Sequence, residues 1–341
     1  MKANADAYDS ASKNEIEELF NFCREGMEYD SEKFLATIFI KALNKKICSD
    51  AISENTYQKK YEVSQIELFD ILIDKFPFVK YSQQIINNSI AGTIGNNKVV
   101  TLIDIGVGLG TQMVNILELI KNNTSLEKLV IIGIEPFAEA LSIAGKNICS
   151  YKDKVNFELE FIPVQEYAEQ VDFKSLKSIC GTVIVNASLA LHHIQTEALR
   201  SKTIAGIKAL NPVALILTEP NVNHFESVFY SRFKNSYQHF HCLFKVIDQL
   251  EIENHYKNGL KLFFGREIED IIGKAESDRF EKHAPASQWI ELLKQNNFST
   301  KNEMLSHAFI ANPGVEIKYH NDGFIGFTYE NETALALIYA N

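Results

Sequence analysis

Residues 99 to 115 read VVTLIDIGVGLGTQMVN: an unbroken apolar run, an aspartate, three glycines at alternate positions, then a segment with helical spacing. This stretch restricts the fold more than any other. A buried strand that ends in a glycine turn and re-enters a helix is the opening unit of an open α/β sheet. Gly106, Gly108 and Gly110 carry no side chain, so the backbone there can approach a ligand closely and adopt positive φ. The helix that starts near Thr111 turns Met113, Leu117 and Ile120 to one face, the face expected to pack on the sheet.

The same alternation continues downstream. KLVIIGIEP, NFELEFIP, GTVIVNAS and VALILTEP read as further strands with helical segments between them. Strands this uniformly apolar are buried on both faces, which predicts a parallel sheet with helices on either side. YHNDGFIGFTYENETALALIYAN at the C-terminus reads as antiparallel strands joined by short polar turns. Upstream, apolar residues recur at helical spacing, as in Ile16, Leu19, Phe20 and Cys23, and again in Phe34, Leu35, Ile38, Phe39 and Ala42. A last helix is expected to start after Pro77. The expected organisation is an N-terminal helical cap over residues 1–95 and a core over residues 96–341, with an aromatic-rich helical insertion near 221–285.

Composition narrows the functional classes. Lys and Arg number 34 against 44 Asp and Glu, a net charge of -10 that counts against nucleic acid as a partner. Cys23, Cys48, Cys149, Cys180 and Cys242 show no CxxC spacing, which fits reduced thiols and implies no metal site. The first residues are polar and no apolar stretch reaches the length of a membrane span, so a cytoplasmic protein with no membrane partner is expected.

The glycine spacing bears on the cofactor. A dinucleotide fingerprint requires G-x-G-x-x-G, whereas Thr111 stands in the third place here and the run is G-x-G-x-G. That spacing resembles motif I of class I S-adenosylmethionine-dependent methyltransferases, which implies S-adenosyl-L-methionine as cofactor, with Asp104 and the loop toward its amino-acid part. Glu135, at the end of LVIIGIEP, suits the ribose hydroxyls, because a carboxylate accepts two hydroxyl hydrogen bonds. The plainer alternative is that Asp104 caps a turn and Glu135 is a solvated loop residue.

GTVIVNASLALHHI places Asn186 at a strand end and His192 and His193 just beyond it, and the resemblance to methyltransferases implies that this strand end lines the gap between methyl donor and acceptor. Methyl transfer to a hydroxyl needs alignment and a base; either histidine suits the role, and either can equally be a packing residue. LNPVALILTEPNVNH brings Glu219 to the next strand end, followed by His224, Tyr230 and Arg232 within an aromatic and polar segment. That segment reads as the wall of an acceptor pocket or as an amphipathic helix packed on the sheet. The candidate cofactor residues are therefore Asp104, Gly106, Gly108, Gly110, Glu135 and Asn186. The catalytic candidates are His192, His193 and Glu219, and the substrate-binding candidates are His224, Tyr230 and Arg232.

Several blocks, in order, resemble one family, the GRAS domain. PFVKYSQQIINNSI resembles the end of its first leucine-rich region, VVTLID its VHIID motif and VNASLALHHI its VN-to-LH segment. LTEPNVNHFESVFYSRFKNSYQHFHCLFKVID resembles the PFYRE region, and the segment from Phe264 to the C-terminus resembles the remainder through the SAW motif, without its terminal tryptophan. The resemblance implies a Rossmann-like class I methyltransferase fold: a mostly parallel seven-stranded sheet with helices on both faces and an N-terminal helical cap. Plant members bind protein partners and generally have a degraded glycine loop. The intact loop here favours a methyltransferase acting on a small-molecule acceptor. The alternative is a non-enzymatic protein-interaction or ligand-sensing regulator, with a homodimer or a protein partner engaged through the cap. The abundance of Asn, Lys and Ile suits an AT-rich bacterial genome.

Overall fold

Each of the five apolar runs forms a seven-residue strand: β1 (Val99–Ile105), β2 (Lys128–Ile134), β3 (Glu158–Val164), β4 (Thr182–Ser188) and β5 (Ala214–Pro220). The structure, a computed structural model, describes residues 10–47, 63–176, 179–305 and 314–341. The five strands pair in parallel in the order β3-β2-β1-β4-β5. β1, β2, β4 and β5 are buried at nearly every position, which is why they read as continuous apolar runs. Helices α5 (Thr111–Ile120), α6 (Ala138–Cys149) and α7 (Glu197–Lys208) follow β1, β2 and β4 in the chain. Met113, Leu117 and Ile120 of α5 are all buried.

The expectation of seven strands is corrected: the sheet has eight, of mixed orientation. β8 (Glu332–Ala340) lies antiparallel beside β5, followed outward by β7 (Phe324–Tyr329) and β6 (Val315–His320), giving the order β3-β2-β1-β4-β5-β8-β7-β6. β6 has no apolar run to reveal it. It is an edge strand whose VEIKYH sequence buries Val315 alone, because one side of an edge strand has no neighbour. β7 and β8 are joined by Glu330 and Asn331, both at positive φ, a two-residue turn of the kind that closes hairpins.

The chain divides into two compact units. One holds residues 81–221, 284–328 and 335–341 and contains the body of the sheet with α10 (Ala286–Gln295). The other combines the chain up to Lys80 with residues 222–283 and 329–334. Its helices are α1 (Ser10–Arg24), α2 (Ser31–Ile47), α3 (Gln65–Lys75), α8 (Phe229–Asp248) and α9 (Asn254–Gly273), while α4 (Pro77–Ile94) begins in this unit and continues in the first.

The helical unit has its own core. The α2 stripe Phe34, Leu35, Ile38, Phe39 and Ala42 is buried, as are Leu260, Phe263, Phe264, Ile268, Ile271 and Ile272 of α9. The two helices approach closely at Gly265, where a Cβ would lie 2.9 Å from Ile38 Cδ1. Edge-on aromatic pairs bind the layers together: Phe34 with Phe244 at 6.1 Å and Phe39 with Phe233 at 5.0 Å between ring centroids.

Cys23, Cys149, Cys180 and Cys242 are free thiols, and burial pushes Cys242 up to about 12, which leaves it unreactive; Cys48 lies outside the described residues. Among the described residues no helix is long and apolar enough to cross a membrane.

Candidate functional site

Strand order in the sheet reverses between β1 and β4, and in open α/β sheets ligands bind outside the strand ends at such a point. The glycine loop sits there. Gly106, Gly108 and Gly110 all have positive φ, at 78°, 53° and 77°. Their surroundings differ. A Cβ at Gly106 would meet Ala190 Cβ at 2.7 Å, and one at Gly110 would meet Ala144 Cα at 3.1 Å, so both glycines are required by packing. Around Gly108 the nearest atom is the loop's own Gly106 carbonyl oxygen at 4.0 Å, so its face is open.

Glu135 follows β2 directly and is bound to this loop. Its Oε2 accepts the Gly108 N–H at 3.1 Å and its Oε1 the Phe137 N–H at 3.3 Å. Burial pushes the carboxyl up, and the two amides oppose that shift. Two of its roughly four acceptor positions are used, which leaves capacity for ligand hydroxyls.

Beneath the loop, Asp104 of β1 is in register with Asn186 of β4. Asn186 Nδ2 donates to Asp104 Oδ1 at 2.7 Å and to Gln112 Oε1 at 3.3 Å, and Gln112 Nε2 donates to Asn87 Oδ1 at 3.1 Å. All four side chains are buried. The Asp104 carboxyl is pushed up to about 7, first by burial and then by the charge of Glu135. Asn186 Oδ1 is buried without a hydrogen bond. Gln112 and Asn87 are additions that the sequence does not advertise, since each occupies a helical position with no motif around it.

The ends of β4 and β5 bring a second pair together. A 3-10 turn, Leu191–His193, follows β4, and Glu219 lies near the end of β5. Glu219 Oε2 lies 2.6 Å from His192 Nδ1, and Oε1 accepts the Leu191 N–H at 2.8 Å; His192 is 4% exposed and Glu219 1%. Burial pushes the Glu219 carboxyl up, but His192, the Leu191 amide and the charge of Arg200 hold it below the usual carboxylate range. Arg200 in turn donates to the carbonyls of His192 and Ile194 and lies over the Trp289 ring at 4.6 Å. A carboxylate that fixes Nδ1 orients the imidazole and leaves proton transfer to Nε2. The His193 ring packs 4.0 Å from that of His192.

The three substrate-binding candidates belong to the helical unit and do not form one cluster. Tyr230 is 71% exposed. Arg232 is buried, its NH1 donating to the Glu226 carbonyl at 2.7 Å. His224 is fully buried, its ring 4.8 Å from that of His283 and neither ring nitrogen hydrogen-bonded. Burial pushes His224 far below the usual imidazole range, and His239 down to about 3.

A group that sequence spacing does not reveal lies beside His224. Glu267, Glu281 and His283 place one ligand atom each within 4.8 Å of the others, with His283 Nε2 3.2 Å from Glu281 Oε2 and 3.9 Å from Glu267 Oε2. Two carboxylates and an imidazole are a donor set that can hold a divalent metal. Their sequence spacing matches no ligand motif, since Glu267 lies within α9 and the other two in the loop that follows.

The GRAS domain family profile matches residues 4–334. DELLA protein RGL3 of Arabidopsis thaliana is 23% identical over 277 residues, covering 79% of this chain and 52% of that protein. Scarecrow-like transcription factor PAT1 of the same plant is 25% identical over 295 residues, covering 82% of this chain and 58% of that protein. The chain thus spans about half the length of the curated relatives it matches. These are plant proteins, not the bacterial relatives that the composition suggests. The crystal structure of SCL7 from Oryza sativa superposes with a TM-score of 0.75 at 18% identity, covering 92% of this chain and 91% of that one. With a profile match over nearly its whole length and a shared fold, this chain belongs to the GRAS domain family.

Proposed function

We propose that this chain is a non-enzymatic GRAS-type regulator whose glycine loop senses an S-adenosyl ligand and whose output is a protein partner. The observation that carries the ligand half is the open face of Gly108, held at φ 53° with its amide on the Glu135 carboxylate. The residues fit such a ligand. Glu135 would accept the ribose hydroxyls, the side-chain-free surface at Gly108 would admit the ligand backbone, and the Asp104–Asn186–Gln112 network would hold the loop from beneath. Relatives named as a DELLA protein and a transcription factor support the regulatory half.

One observation favours a second reading, methyl transfer to a small-molecule acceptor: the buried His192–Glu219 pair has the form of an oriented general base. When bound, the cofactor would supply the methyl group. His192 would take a proton from an acceptor hydroxyl, and Glu219 would hold the imidazole in place.

Isothermal titration of the purified chain with S-adenosylmethionine and S-adenosylhomocysteine tests the proposal. Micromolar binding is expected, weakened at least tenfold in Glu135→Ala, because hydrogen bonds to a charged acceptor contribute about 1.5–3 kcal/mol each. No binding at millimolar ligand by folded protein would overturn the ligand half. Turnover of bound S-adenosylmethionine to S-adenosylhomocysteine with a small hydroxyl acceptor would replace the sensor reading by the enzymatic one.

A further inference from the structure

In a chain with a net charge of -10, three basic side chains of the helical unit converge on one carboxylate, and a fourth, Lys46, feels its field. Lys46 lies in the last turn of α2, Arg232 in the first turn of α8, and Arg279 and Lys282 in the segment after α9. Glu276 is the carboxylate. Its Oε1 accepts from Arg279 NH2 and lies 3.5 Å from Lys282 Nζ, and its Oε2 lies 3.5 Å from Arg232 NH1. Lys46 feels the charges of Arg232, Arg279 and Glu276, and burial together with the two guanidiniums pushes its amine down. The Phe229 ring supports two of the cations, with Lys46 Nζ 4.9 Å and the Arg232 guanidinium carbon 5.6 Å from its centre.

Glu226 adds its field to Arg232, Lys274 is neutralised by Asp270 at 2.5 Å, and the two guanidiniums of Arg232 and Arg279 repel each other. Both arginines are deeply buried, at 5% side-chain exposure for Arg232 and 0% for Arg279, whereas the Glu276 side chain is 58% exposed and forms the solvent side of the cluster. The Nε atoms of Arg232 and Arg279 are buried with no hydrogen-bond partner. Buried guanidiniums that repel one another and keep unused donors are costly unless an anion completes them.

We propose that this cluster is a binding site for a dianionic phosphate group, of inorganic phosphate or a phosphate monoester, with Glu276 occupying it in the ligand's absence. A single carboxylate has two oxygens and one charge. A phosphate has more of both, and two guanidinium forks flanked by two ammonium groups match it better. Displacement of the exposed Glu276 side chain opens the path to the arginines beneath it.

The test uses the full chain, with inorganic phosphate and phenyl phosphate as probes at constant ionic strength and potassium chloride as the control. Phosphate is expected to raise the melting temperature of the wild type beyond the chloride control. Calorimetric affinity should rise at least tenfold in Glu276→Gln, which removes the competing charge, and fall at least tenfold in Lys46→Met, whose partly exposed position tolerates the change. Tighter binding of phenyl phosphate than of phosphate assigns the site to a monoester, and equal binding assigns it to the free ion. Stabilisation no greater than that of chloride, or affinities unchanged in both variants, would overturn the proposal. Should Glu276→Gln fail to fold, the comparison of wild type with Lys46→Met decides.

Discussion

Burial at 3% exposure and the neighbouring Glu135 charge keep the Asp104 carboxyl neutral up to about pH 7. Its unfolded value is about 3.9, so the neutral folded form contributes stability that is fully present below about pH 4 and is lost as pH rises through about 7. The shift corresponds to about 4 kcal/mol at most. Asp104→Asn removes the titration, so its melting temperature should vary less than that of the wild type between pH 4 and pH 8, and should exceed the wild-type value at pH 8. Parallel melting curves for the two proteins across that range would show that Asp104 does not titrate in the folded state. Glu135, whose charge adds to the shift, and Asn186, whose hydrogen bond opposes it, lie 31 and 82 positions away in the chain. Asp104 itself was legible because it precedes a glycine turn, but its environment was not.

The glycine loop separates what an element needs in order to fold from what it offers to a ligand. Gly106→Ala would place a Cβ 2.7 Å from Ala190 Cβ at φ 78°, and should cost about 2–4 kcal/mol in urea unfolding. Gly108→Ala meets no neighbour closer than its own loop carbonyl and should cost only about 1 kcal/mol of left-handed strain, yet weaken S-adenosyl binding as the new methyl fills the open face. Equal losses of stability in the two variants would contradict this division. Strands followed the same logic of local legibility. β1, β2, β4 and β5 are buried on both faces and so carry their assignment in every residue, whereas β6 buries only Val315 and carries no apolar run.

At the scale of the molecule, the helical unit is assembled from three separate stretches of chain. The α2 residues Phe34, Leu35, Ile38 and Phe39 each contribute about 1.5–3 kcal/mol by burial, so removing residues 1–80 should forfeit on the order of 10 kcal/mol of apolar burial. Such a truncation is expected to aggregate or to bind a hydrophobic dye, with a loss of helical circular dichroism larger than the deleted residues account for. A monodisperse truncation that keeps the α8 and α9 signal would refute this. The sequence by itself determined the parallel strands, their glycine turn and the helical character of the flanking segments, because local periodicity records which faces are buried. It did not determine the eighth strand, the pairing of Glu219 with His192 across β4 and β5, or the convergence of Arg232 and Arg279 on Glu276. Those depend on which elements become neighbours. Only tertiary packing decides that, because the pattern along one segment carries no record of the segment it will meet.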